Sequence, residues 1–470
     1  MHRSKWIILA IVIACQLVVV LDSSIMVTAI PEIGRSLRMS TTSLTWVQNS
    51  YVLALGGFLL LGARAGDLLG RRRILAAGIG LFSLTSLLAG IAPNAELLLA
   101  ARALQGLSAA LATPAALALL SATYVEARER TKAIALYSAV SAGGGSIGLL
   151  LGGWFTDFVS WRLGMFINVP IGAILLLLIH KHVPNSETRP GRFDPWGAIT
   201  SVIGMTALAY GFVQAADDGW GNLAAWIPLA LGAASMAAFV LIEARVAEPM
   251  IPLRLFADRR RAGAYAGRFL LVGGNFSLFF FIPQYLQQAL GFSSFEAGLA
   301  FLPFTVAQFG MMYAIPGLLR RYGNARVLGA GLLLAIAGTF WLSRIVAVQA
   351  PFFPDMFVLM AFMGIGAGMA FQPLTAMGLA GVAPQDSGAA SGLVNVAHQS
   401  GASLGLAVLV TVFNGSGSAA PPSHSAFAHA ISDTMLGSVL FVAAALVVTL
   451  ICMAPGREAS RKLRMNEARS

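Results

Sequence analysis

Apolar residues in this chain come in runs of about twenty, with Gly, Pro and charged residues gathered in short stretches between them. A helix needs about 20 apolar residues to cross a hydrocarbon core of about 30 Å, so each run predicts a membrane-spanning helix. The first six fall at 6–30, 43–63, 74–92, 97–120, 133–156 and 163–180. Eight more follow at 195–213, 223–242, 263–285, 297–318, 327–346, 354–375, 388–413 and 433–454. The pattern therefore predicts an all-α integral membrane protein with fourteen spans.

Charge sets the orientation. With the N-terminus inside, all but six of the 31 Lys and Arg residues fall in the N-terminal segment, the even-to-odd loops and the C-terminal tail. Arg35, Arg38, Arg162 and Arg344 fall in the opposite loops, and Arg102 and Arg268 fall within spans. This positive-inside bias places both termini in the cytoplasm. It also explains the net charge of +11 and the pI of about 10.2 without an acidic partner or nucleic acid. With 57% hydrophobic and 11% charged residues among 470, and a mean hydropathy of +0.77, the composition excludes a soluble enzyme, a disordered chain and a nucleic-acid-binding domain. Ordinary soluble domains carry about 25% charged residues.

Two local features need a reading. Met1–Lys5 followed by the apolar run from Trp6, with Val12-Ile13-Ala14-Cys15, has some likeness to a cleaved lipoprotein signal. The run continues through Val18–Leu21, and the part before Cys15 is short for such a signal, so an uncleaved first helix is expected. Cys15 and Cys452, both inside apolar runs, can build neither a disulfide framework nor a metal site.

An ionisable residue inside a span is costly, and marks function by default. Asp22 is the one acidic residue well inside a span, about two turns below Pro31. A carboxylate at that depth can load and release a proton as water access alternates, which coupling to a proton gradient requires; the plainer alternative is a packing carboxylate. Counted at about 1.5 Å per residue, Asp22 and Arg102 lie at similar depths from the outer side, close enough for the long arginine to reach across. Arg268, seven residues from Arg261, is read as snorkelling to the inner interface. Gly144, Gly148 and Gly152 share one helix face and let two backbones approach closely, as ordinary packing or as a sliding seam between halves. Asp67 and Arg71–Arg73, with Gly70 at a turn, are either a solvated charge run or a salt-bridge latch at the inner gate. Phe276, Phe279, Phe280 and Phe281 offer an aromatic lining, with Asn275 and Gln308 nearby. Phosphate loops, metal-ligand clusters and nucleophile triads are absent from the sequence, so neither enzymatic activity nor a cofactor is expected and a gradient must supply the energy.

These motifs, taken in order, resemble a known family. Asp67-Leu-Leu-Gly70-Arg71-Arg72-Arg73 is similar to the cytoplasmic signature of the major facilitator superfamily. Arg102-Ala-Leu-Gln105-Gly106-Leu-Ser-Ala109 is similar to its span-4 signature, and Gly144, Gly148, Gly152 and Gly153 to the glycine motif of its antiporters. Leu21-Asp22 through Pro31, Trp161-Arg162, Phe166-Ile-Asn168-Val-Pro170, Asp194-Pro-Trp-Gly197 and Ser391-Gly-Leu-Val-Asn395 with Gln399 resemble the fourteen-span drug:proton antiporters of the EmrB/QacA type. Departures from the pattern are Leu68, Leu149 and His398, where a basic residue, a proline and an arginine are usual.

The resemblance implies two six-helix halves, 1–182 and 259–456, with two inserted helices at 183–258 and a basic tail at 457–470. The tenth span closes on Leu318-Leu-Arg320-Arg321-Tyr-Gly323, a weak repeat of the end of the second, Gly62–Arg73. It implies proton-coupled export of small amphipathic or lipophilic compounds from a bacterial inner membrane by a monomer. Asp22 and Arg102 would be the coupling pair, and Asp67, Gly70, Arg71 and Arg72 the inner gate. Gln105, Asn275, Gln308, Asn395 and Gln399 are candidates for the substrate cavity. A dedicated exporter of one metabolite or antibiotic, an uptake symporter, and a receptor or scaffold are the alternatives; the last would typically add a long soluble domain, and the longest loops here are about twenty residues. With Asp22 opposed by Arg102, a cavity near zero net charge is expected to favour neutral or monovalent compounds over dications.

Overall fold

A computed structural model describes residues 2–39, 41–185, 194–246, 249, 251–347, 351–382, 387–416 and 424–453. Ser186, Asp386 and the basic tail 457–470 lie outside the described residues, which contain helices and no strand.

The first group of helices is α1 (His2–Leu37), α2 (Thr41–Leu69), α3 (Arg71–Gly90), α4 (Ala95–Thr123), α5 (Ala127–Phe158), and α6 (Trp161–Phe166) continuing into α7 (Asn168–His182). Two more, α8 (Pro195–Asp218) and α9 (Leu223–Glu243), precede the second group. That group is α10 (Arg259–Gln288), α11 (Ser294–Leu299), α12 (Leu302–Ala347), α13 (Phe357–Gly378), α14 (Ser387–Gly415) and α15 (His424–Met453).

Among the described residues twelve helices are long and apolar enough to cross a membrane. Two further stretches bring the total to the fourteen predicted spans. One is α5, which carries charge over its opening turns and becomes apolar and glycine-rich beyond them. The other comes from α12, 46 residues long, which breaks at Gly323. There φ is 76° and ψ 165°, a conformation essentially restricted to glycine, so α12 supplies spans 10 and 11.

Local chemistry marks the helix starts. Asn94, Ser160, Asp194, Asn222, Asp258 and Ser293 each accept a backbone N–H at the start of the following helix, satisfying donors the helix cannot use. Ser293 and Glu296 form a full capping box. The Asp194-Pro-Trp-Gly197 motif is thus a helix start, with the carboxylate on the Gly197 N–H at 2.9 Å.

In the first group α4 packs on α2 and α3, α1 on α5, and α7 on α3. In the second, α10 packs on α13, α14 and α15, and α12 on α13 and α15. Helices α8 and α9 pair with each other, and α8 lies against both α2 and α14. The two groups meet where α5 touches α11 and α12, where α2 and α4 touch α14, and where α1 touches α10. One apolar cluster crosses that boundary, with Val27, Ile30 and Leu149 among Phe280, Phe281, Phe301 and Phe304. Lipid is as apolar as these side chains, so close packing and hydrogen bonds rather than water exclusion must hold the helices together.

Candidate functional site

Asp22 stands in the middle of α1 and Arg102 in the first third of α4. Both side chains are 0% exposed, and their carboxylate and guanidinium groups pair at 2.5 Å. The depth estimate from sequence is met by direct contact. Gln105, one turn along α4, donates to Asp22 Oδ1 at 3.1 Å and accepts from Arg102 Nη1 at 3.0 Å. Asn168, at the start of α7, donates to the same Oδ1 at 2.8 Å. Ser86 of α3 accepts from Gln105 at 2.8 Å and from Asn168 at 3.3 Å. Four helices of the first group thus converge on one carboxylate. A buried ion pair is favourable only when its remaining lone pairs and protons are also satisfied; these amides satisfy Asp22 Oδ1 and Arg102 Nη1, while Arg102 Nη2 is buried and makes no hydrogen bond.

Arg102 has two further partners. Its Nε donates to the Val47 carbonyl at 3.2 Å, and its guanidinium lies 4.4 Å from the centre of the Tyr51 ring. Tyr51 is itself buried, and its ring also lines a cavity. That cavity takes walls from α1, α2 and α5 on one side and from α10, α12, α13 and α14 on the other. Apolar and aromatic groups predominate in it, including Val19, Val27, Phe276, Phe279 and Phe304. Asn275, Gln308 and Gln399, three of the predicted cavity residues, line it together with Ser23, Ser24 and His398. Gln105 does not: it is wholly buried in the Asp22 cluster. Asn395 lies one helical turn from Gln399 on α14, half-buried and outside the lining.

The glycines of α5 divide between two partners. A Cβ on Gly148 would stand 2.7 Å from the Ser24 side chain and 3.0 Å from the Leu21 carbonyl, and one on Gly152 would stand 2.6 Å from Ile25 Cα. Gly144 faces Leu17 and Val20. All three therefore seat α5 on α1, around Asp22 and within the first group. Gly153, one position round the helix, faces the second group, where a Cβ would collide with the Ser294 carbonyl. Nearby, the Asp157 carboxylate accepts from the N–H groups of Phe295 at 2.8 Å and Ser294 at 3.3 Å. It thus holds the start of α11 in the second group from the end of α5 in the first.

At the other end of the molecule, Asp67 pairs with Arg71 at 3.2 Å, and Arg71 also donates to the Ala118 carbonyl at 3.0 Å. Arg72 bonds Asn185 at 2.7 Å and the His180 carbonyl at 2.8 Å. Gly70, with φ 98°, makes the turn between α2 and α3 that sets these side chains side by side. These partners lie in the first group or, for Asn185, just beyond the end of α7.

Arg268 departs from the snorkelling expectation. It is 8% exposed and turns into the second group. Its guanidinium donates to Thr375 Oγ1 at 2.7 Å and to the Phe371 carbonyl at 3.3 Å, and lies 4.8 Å from the Phe371 ring centre. It also meets His398 Nδ1 at 3.5 Å. Seven residues from Arg261 suits an arginine reaching the interface as well as one turned inward, and α10 has turned this one inward.

The Major Facilitator Superfamily model matches residues 12–406. The chain belongs to the Major Facilitator Superfamily. It is 37% identical over 455 residues to the Cephamycin export protein CmcT of Amycolatopsis lactamdurans, covering 95% of this chain and 93% of that protein. It is 39% identical over 460 residues to the Puromycin resistance protein pur8 of Streptomyces alboniger, covering 95% and 90%. The Multidrug efflux pump LfrA of Mycolicibacterium smegmatis is 33% identical over 415 residues, covering 87% and 81%. Among solved structures, the xylose transporter XylE from E. coli superposes with a TM-score of 0.64 at 14% identity, covering 97% of this chain and 98% of that one. This major facilitator protein is therefore a multi-pass membrane transporter with bacterial relatives and with the fold its sequence pattern predicts.

Three functional-site residues were missed at the level of sequence. Asn168 belongs to the Phe166–Pro170 motif, and a polar side chain at the start of an apolar helix was the available signal. Ser86 carried no signal beyond its small size. Asp157 sits close to a span end, where a carboxylate draws no attention.

Proposed function

We propose that this major facilitator protein is a proton-coupled exporter of small amphipathic or lipophilic compounds from a bacterial inner membrane, with both termini cytoplasmic. The Asp22 cluster is the observation that carries the reading. It is a wholly buried carboxylate whose arginine partner is separated from a largely apolar cavity by one tyrosine ring. Protonating Asp22 removes its charge and releases Arg102 Nη1 from the pair. Gln105 Oε1, the Val47 carbonyl and the Tyr51 face are already placed to hold the freed cation. Arg102 then leans more heavily on Tyr51, and through it on the cavity wall, so that proton loading and cavity shape become linked. Export, rather than uptake, is supported by the relatives, which are named as an export protein, a resistance protein and an efflux pump.

Residues 1–182 and 259–456 act as the two moving halves of a monomer, 183–258 as an added helical pair, and 457–470 as a cytoplasmic tail. Asp67, Gly70, Arg71 and Arg72 form the inner gate, which closes when the other half docks on it. Protons and a small-molecule substrate are its partners, and it uses no cofactor. A dedicated exporter of one compound is the second reading, favoured by the single-antibiotic names of two of the relatives.

Asp22→Asn tests the coupling. In proteoliposomes with an imposed proton gradient the variant is expected to insert and fold yet lose accumulation of a lipophilic dye against its gradient. Accumulation at the unmodified rate would make Asp22 structural and place the proton path elsewhere.

A further inference from the structure

The site already described balances its charge: one buried carboxylate, one buried guanidinium. A second buried guanidinium, Arg268, lies across the cavity from it with no carboxylate to match. Among the described residues Arg268 has no acidic partner. A full positive charge is shared between one hydroxyl, one carbonyl, a ring face and the ring nitrogen of His398. The Thr375 hydroxyl spends its own proton on the Phe371 carbonyl at 2.9 Å, so it can only accept from Arg268. Arg268 Nε is buried and makes no hydrogen bond. An uncompensated charge in such surroundings is costly, and the cavity lining, for all its size, contains no Asp or Glu.

His398 links this cation to the cavity. Arginine has donors and no acceptor, so its contact with His398 Nδ1 requires that nitrogen to accept, which puts the imidazole proton on Nε2. The ring, together with Phe371 and Gln399, forms part of the cavity wall. A guanidinium therefore polarises the imidazole of a residue that lines the space a substrate would enter. Phe276, Phe279 and Phe304 supply apolar surface in the same cavity.

We infer that Arg268 and His398 form an anion subsite in the cavity, and that the chain binds amphipathic compounds carrying a carboxylate, the aromatic walls holding the apolar body and the His398 N–H, backed by Arg268, holding the anionic group. As to what the carboxylate compounds are for, the inference rests on the export reading above; the binding itself does not. It also changes the charge expectation drawn from sequence. With Arg268 inside, the cavity region carries a net positive charge while Asp22 is ionised, which favours monoanions and makes dications poorer still.

The test uses the purified full-length protein in lipid nanodiscs and two probes of nearly equal size, 4-biphenylcarboxylate and 4-biphenylcarboxamide, titrated by calorimetry. The carboxylate is expected to bind about tenfold or more tighter, the range for a hydrogen bond to a charged group. Arg268→Gln should bring the two affinities together by weakening the carboxylate and leaving the amide unchanged, while Arg268→Lys, which keeps the charge, should retain a preference for the carboxylate. Should Arg268→Gln not fold, His398→Phe removes the wall donor and leaves Arg268 in place, and should narrow the gap. Equal affinities in the unmodified protein, no carboxylate binding, or an undiminished preference in the folded Arg268→Gln or His398→Phe variants would overturn the inference. A preference that depends on Arg268, combined with failure of energised proteoliposomes to move either probe, would instead count against export and leave the subsite standing.

Discussion

Arg102 and Asp22 constrain each other more tightly than either is constrained by its helix. Removing the arginine alone strands a buried carboxylate, and breaking a buried pair from one side costs about 3–5 kcal/mol. Arg102→Gln should accordingly lower the thermal midpoint sharply, whereas the double variant Asp22→Asn, Arg102→Gln, with four amides in a hydrogen-bonded cluster, should recover most of it. Differential scanning fluorimetry of the four proteins in detergent gives the coupling directly; additive losses would show that the pair is not the organising contact. This pair was legible in the sequence because charge is so rare in the spans that two charged residues at matching depth stand out. Arg268 was not, because distance from a span end measures depth and says nothing about which side of the helix faces lipid. Gln105 was placed in the cavity for a related reason: a polar face on α4 can serve a cavity or an ion pair, and only the position of α1 decides between them.

Along α5 the same ambiguity takes a different form. The four-residue glycine repeat announced close backbone contact and left the partner open. The partner is α1 for Gly144, Gly148 and Gly152, and the second group of helices for Gly153. A single methyl group at Gly152 would press on the α1 backbone at Ile25, which cannot move aside by a rotamer change, as well as on the Thr28 hydroxyl. Gly152→Ala is therefore expected to destabilise by about 1–3 kcal/mol. Gly310→Ala makes the comparison, since nothing lies within 4 Å of a Cβ there, and alanine is the better helix former by up to about 1 kcal/mol. Thermal unfolding of both variants should separate them in opposite directions, and equal midpoints would show that α5 can slide away from α1 at no cost. Helix boundaries were easier to foresee. Predicted spans and observed helices agree at nearly every apolar run because hydrocarbon thickness sets their length, and the closest junction, the kink that separates two helices within 302–347, turns on one glycine whose dihedral angles no composition average registers.

For the whole molecule, orientation is the property most open to direct measurement. With Cys15 and Cys452 replaced by alanine, single cysteines at Ser186 and at Ser416 should react with a membrane-impermeant maleimide from opposite faces, Ser186 from the cytoplasm and Ser416 from outside. Labelling of both from one face would mean that the number of spans between the two positions is even, one fewer or one more than the seven predicted. The fold class was legible because fourteen runs and a one-sided distribution of basic residues leave few alternatives. How the two groups touch was not, since Asp157 reaches the backbone of α11 across a gap of more than a hundred residues in sequence, and a carboxylate that bonds backbone N–H groups leaves no complementary side chain to find.

The glycine contact between α1 and α5 has a mechanical meaning. Side chains interposed between helices act as springs, taking up small displacements by changing rotamer. Where α5 rests on the backbone of Leu21 and Ile25 and on the short Ser24 side chain, there are few rotamers to change and the joint has little compliance. Any shift of α1 that accompanies a change at Asp22 is passed to α5 without damping, and α5 carries it one face round to Gly153 and the second group. In the proton-coupled cycle proposed above, a stiff joint of this kind would limit slip, the wasteful cycle in which a proton crosses and no cargo does.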